Sequence, residues 1–192
     1  VGGLAQHVSG EARSLAELDN EDAAWFRAAY DIDVRTGVEV THLDPDARVL
    51  RANGKSLAYD ALVYATGAES IMPAILGLAG ASNVHRFRNM ADIRALGVAL
   101  RRAKRVAVLG GGFFGIEAVD ALTRRGTEVA LFERGDRLLP TFARGASLAA
   151  EASLVRAGAE VHTSAEVVRA VRKGDRVRAL ELADGRSFGC DL

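Results

Sequence analysis

RVAVLGGGFFGIEAVDALTRRGTEVALFER, residues 105–134, decides how the chain reads. It opens on a short β-rich apolar run, 105–110, of the length of a parallel strand buried on both faces. Gly110-x-Gly112-x-x-Gly115 follows. Ile116, Val119 and Leu122 then recur at helical spacing until Gly126 supplies a helix stop. Residues 127–134 form a second β-rich run that ends at Glu133. The bare glycine pattern is a weak signal, but strand, tight turn, helix, strand and acid together are the context in which it binds a dinucleotide. Gly110 permits the tight turn, Gly112 leaves room for a diphosphate, and Gly115 lets the helix pack closely. The free N–H groups and the positive end of the helix then face the diphosphate. Glu133, 18 residues past Gly115, is placed to accept hydrogen bonds from an adenosine ribose and to repel a 2′-phosphate. That favours NAD(H). Arg134 beside it tolerates the extra phosphate, so NADP(H) is the lesser expectation.

Two stretches flanking this unit resemble each other. Val34, Thr36, Glu39 and Val40 match Val161, Thr163, Glu166 and Val167 at a shift of 127 positions. Gly54 and Asp60 match Gly185 and Asp191 at a shift of 131. Each copy reads as a strand, short alternating strands with turns between them, and the start of another strand. In the first copy that last strand is YDALVYATG, 59–67, expected to be buried. The glycine turn precedes the second copy, so an equivalent turn for the first would lie before Val1, and the chain is expected to be part of a longer protein. The fold class is therefore α/β, with two repeated units. Each has a parallel sheet plus a small antiparallel meander, and the first is incomplete. Asn89 and Asp92 predict a capped helix over 89–103 with Ile93, Leu96 and Leu100 on one face. Residues 20–30 predict another, in which Trp25 and Phe26 are read as core anchors rather than ligand stackers. Residues 68–88 read as a passage between units.

Totals exclude several classes. Lysine plus arginine equals aspartate plus glutamate at 25 each, so net charge gives no support to a nucleic-acid partner. No apolar run approaches the roughly 20 residues of a membrane helix. Cys190 is the single cysteine, so an internal disulfide is impossible and a reducing, cytoplasmic compartment is expected. His42, His85 and His162 show no metal-ligand spacing with each other or with Cys190.

Residues 59–73 and 108–140, in this order around an internal repeat, resemble the FAD-dependent pyridine nucleotide-disulfide oxidoreductase family. The likeness is strongest to the branch of NADH oxidases, NADH peroxidases and coenzyme A-disulfide reductases. It implies two Rossmann-like dinucleotide-binding units, a partial FAD-binding domain over 1–80 and an NAD(P)H-binding domain over 81–192. It also implies an FAD cofactor in the full-length protein and hydride transfer from NADH to that flavin. The acceptor would be a small molecule or an electron carrier, and a homodimer of the full-length protein is one expectation. By the same resemblance, Phe113 covers the flavin and moves aside for the nicotinamide, and Phe114 is a packing residue. Glu117 is either a carboxylate near the nicotinamide–flavin junction or a first-turn partner of the helix dipole. Ala65, Thr66 and Gly67 border the flavin, and backbone groups at Val40 face its adenine. One departure matters: where the branch carries a redox cysteine before a glycine, GGLAQHVSGE (2–11) places Gly2. No thiol is then visible for disulfide reduction. A non-catalytic dinucleotide-binding sensor or assembly module is the alternative to an enzyme.

Overall fold

The computed structural model describes residues 4–11 and 21–192. These fall into two compact units, 21–68 and 4–11 with 69–192.

The smaller unit begins with α2 (Ala23–Tyr30); α1 belongs to the other unit. The Asp22 side chain caps α2 by accepting from the Trp25 N–H at 2.7 Å. Strands β1 (Val40–Asp44), β2 (Val49–Ala52) and β3 (Lys55–Ala58) form an antiparallel meander. None of its strand residues is fully buried, because three strands with no second layer enclose no core. Trp25 and Phe26 are accordingly not core anchors. Trp25 is 38% exposed, and its ring meets Phe26 and Tyr30 edge-on at 5.0 and 5.4 Å. The strand expected to open the first copy, around Val34 and Thr36, and the one expected over 59–67 are also not formed. Val63 and Tyr64 are 86% and 77% exposed. A strand satisfies its backbone only against a neighbour, and neither segment has one among the described residues.

In the larger unit, α1 (Leu4–Ser9) packs against α4 (Phe113–Arg124) and α3 (Met90–Ala99). Asn89 and Asp92 close the expected capping box on α3, and Ile93, Leu96 and Leu100 are buried. The helix stops short of residue 103 because its end tightens: the N–H groups of Arg101 and Arg102 bond three residues back, to Val98 and Ala99. Strands β4 (Arg105–Leu109), β5 (Glu128–Phe132) and β6 (Glu160–His162) form a parallel sheet in that order. The helix α5 (Arg144–Arg156) connects the last two. Successive residues of β5 alternate between two cores. Val129 and Leu131 pack with Ile93, Val119, Leu122 and Leu154 of the helices. Ala130 and Phe132 pack with Val177, Leu180 and Phe188, which belong to the second antiparallel meander. That meander is β7 (Val167–Lys173), β8 (Arg176–Leu182) and β9 (Ser187–Gly189). Val40 and Val167 open the two meanders, as the repeat requires.

After β9 the chain runs beside β4: Asp191 N–H donates to the Arg105 carbonyl, and Ala107 N–H donates to that of Leu192. The Asp191 carboxylate accepts from the N–H groups of Lys104 and Arg105, which holds its pKa below the usual carboxylate range. Asn83, 1% exposed, pins the passage before α3. Its amide donates to the Val177 and Asp191 carbonyls and accepts from the Val177 N–H. No helix among the described residues is long and apolar enough to cross a membrane.

Candidate dinucleotide site

Gly110 takes φ 103°, a conformation that side chains disfavour, while its N–H continues the ladder to the Phe132 carbonyl at 2.9 Å. The backbone therefore leaves the end of β4 in one step and enters α4. Gly112 is the N-cap, and a Cβ placed there would meet nothing within 4 Å, so the approach to the turn is open. Gly115 is different. A Cβ there would run into the Gly110 carbonyl oxygen, which explains why the helix start must be bare on that side. The first bond inside α4 runs from Ile116 N–H to Gly112 C=O at 3.0 Å. The N–H groups of residues 112–115 are thus unspent within the helix, and no side chain caps them. Free donors, open space and the positive helix end fit a diphosphate.

Glu133 follows β5 and reaches back to this turn. Its carboxylate accepts from the Gly111 N–H at 2.6 Å and from the Gly135 N–H at 2.6 Å. The Gly111 carbonyl in turn accepts from Leu139 N–H at 2.9 Å, with Leu138 wholly buried beneath. Sequence reasoning took Gly111 as a spacer and did not single out the 135–139 loop or Gly135. The one available signal was that Gly111 is also a glycine: a Cβ on it would crowd Leu138 and Glu133. Arg134 is exposed beside the acid.

Phe113 is 63% exposed, with its ring edge-on to Phe142 at 5.1 Å. Phe114 is not a fully packed residue. It is 36% exposed, and the Arg88 guanidinium lies 4.6 Å from its ring centre. It stands at the helix start, where one side faces a cavity of about 280 Å³ also lined by Ile71, His85 and Cys190. Glu117 lies one turn beyond Phe113, on the same helix face. Burial pushes its carboxyl pKa up, which favours the neutral form more than at an exposed glutamate. Cys190 is buried, and burial pushes its thiol up to about 11, so it is a poor nucleophile at neutral pH.

The structure brings Gly110, Gly112, Gly115, Phe113, Glu117, Glu133 and Arg134 together on β4, α4 and the end of β5. Val40, Ala65, Thr66 and Gly67 belong to the smaller unit. There Val40 opens β1 and is 54% exposed, while 65–67 form exposed irregular chain with Gly67 at φ 78°. Gly2 lies outside the described residues.

A family model described as pyridine nucleotide-disulphide oxidoreductase matches residues 4–192. The chain belongs to that family. Among its curated relatives, the biphenyl dioxygenase system ferredoxin–NAD(+) reductase component of Paraburkholderia xenovorans (strain LB400) is 35% identical over 175 residues. The alignment covers 89% of this chain and 42% of the relative. A nitric oxide reductase FlRd-NAD(+) reductase of Vibrio vulnificus (strain CMCP6) is 29% identical, covering 96% and 48%. The covalent putidaredoxin reductase–putidaredoxin complex superposes with a TM-score of 0.83 at 25% identity, covering 99% of this chain and 47% of that one. The chain thus spans about half the length of the curated relatives it matches.

Proposed function

We propose that this chain is the part of an FAD-dependent NAD(P)H oxidoreductase that binds the nicotinamide coenzyme, in an enzyme that passes electrons to a small electron-carrier protein. The observation that carries the coenzyme half is the glycine turn with its unspent N–H groups over residues 112–115 and an acid beside it. Four protein groups act on the coenzyme. The N–H groups of residues 112–115 hold the diphosphate, Glu133 accepts from the adenosine ribose, and its charge disfavours a 2′-phosphate. Phe113 stands exposed at the helix start, free to move away from an arriving ring. Glu117, half-buried on the same face, orients the nicotinamide end. When bound, nicotinamide and flavin supply the hydride chemistry. Val40 and residues 65–67, exposed in the smaller unit, are proposed on the flavin side.

The carrier-protein acceptor is supported by two relatives whose names give a ferredoxin and FlRd as partners of NAD(+) reductases, and by the putidaredoxin complex. Gly2 in place of a redox cysteine and the inert Cys190 speak against a thiol acceptor. The test is anaerobic mixing of the flavin-loaded full-length protein with NADH. The flavin's visible absorbance should bleach rapidly, then recover when an oxidised ferredoxin-type protein is added. A flavin that NADH leaves oxidised would remove the proposal, and recovery with a disulfide alone would move the acceptor to thiol chemistry.

A further inference from the structure

An acid at the end of the second strand needs its carboxylate free if its only work is to receive ribose hydroxyls. Glu133 is not free. One oxygen holds the Gly111 N–H and the other the Gly135 N–H, both at 2.6 Å. The two amides lie on opposite sides of the acid in sequence, one in the turn after β4 and one in the loop after β5. Leu139, from the same loop, donates to the Gly111 carbonyl. Both backbone polar groups of Gly111 are therefore fixed by residues that follow β5.

We infer that Glu133 is a positioning residue as well as a ribose acceptor: its carboxylate clamps the glycine turn. The clamp has two consequences. It withdraws the Gly111 N–H from the donors facing the approach, so the diphosphate meets those of residues 112–115. It also couples the two halves of the site, since a ribose pulling on Glu133 bears on the turn that grips the diphosphate. Each carboxylate oxygen keeps a second lone pair for a hydroxyl, so both roles are compatible. A glutamine cannot replace it, because its amide nitrogen would face one of the two N–H donors.

This inference rests on reading the turn as an NAD(H) site, and the experiment separates the two. Amide hydrogen exchange at Gly111 and Gly135 is measured by NMR on the coenzyme-free 192-residue chain and its Glu133→Gln and Glu133→Ala variants, with NADH titrated into each. Loss of the charge-assisted bonds should speed exchange by about tenfold to a hundredfold at both glycines in Glu133→Ala and at one or both in Glu133→Gln, while core amides such as Val119 stay unchanged. NADH affinity should fall in both variants. Unchanged exchange at both glycines overturns the clamp, and a fall in NADH affinity alone would then leave only the ribose role. Glu133-dependent protection in a chain that does not bind NADH upholds the clamp and sinks the coenzyme reading. Should the alanine variant fail to fold, the exchange rates in Glu133→Gln decide.

Discussion

Phe113 and Phe114 are neighbours in sequence, yet their rings face different surroundings. Phe113 touches one other ring, Phe142, and is mostly in water. Phe114 covers part of a cavity wall and carries a guanidinium on its face. Phe113→Ala should therefore cost about 0.5–1.5 kcal/mol, the worth of one aromatic pair. Phe114→Ala should cost more than that, but less than the roughly 3–5 kcal/mol of a fully buried phenylalanine. Urea melts of the two variants give the order. In the flavin-loaded full-length protein, Phe113→Ala should also speed the reaction of reduced flavin with oxygen, while Phe114→Ala should not. A larger stability loss at Phe113 than at Phe114 would show the two rings assigned the wrong way round.

At the scale of elements, β4, the turn and α4 form one device whose tolerances differ glycine by glycine. Gly115→Ala pushes a methyl into the Gly110 carbonyl, so the helix start must shift away from the turn. A cost of about 1–3 kcal/mol follows, as for other overpacked sites, along with weaker NADH binding. Gly97 is the counter-case inside α3: a Cβ there meets nothing within 4 Å. Gly97→Ala should stabilise by about 0.5–1 kcal/mol through helix propensity. Denaturant midpoints of the two variants should move in opposite directions, and parallel shifts would remove the steric argument at Gly115. These elements were legible because their signals are local. A glycine run permits φ 103° at Gly110, and Asn89 with Asp92 closes a cap within one turn. α5 escaped notice: its moment is weak, with only Ser147 and Leu154 fully buried along 13 residues, so it shows little apolar periodicity.

For the whole molecule, the two meanders are the same motif in different company. β7–β9 packs against the parallel sheet and has a core; β1–β3 in its own unit has none. One strand–glycine turn–helix unit lies among the described residues, so the 192-residue chain should bind NADH and hold FAD poorly. Calorimetric titration with each ligand checks this, and tight stoichiometric FAD binding would overturn it. The sequence by itself determined the α/β class, the glycine turn, the capped α3, the repeat and the acid at 133, because periodicity, capping and backbone freedom act over a few residues. Tertiary structure decided the rest. Whether Trp25 or Val63 is buried depends on a second layer or a neighbouring strand, which their own residues do not supply. Which groups Glu133 holds depends on bringing Gly111, 22 residues earlier, within 2.6 Å of its carboxylate. Only the parallel pairing of β4 with β5 does that, by setting the turn after one strand beside the loop after the other.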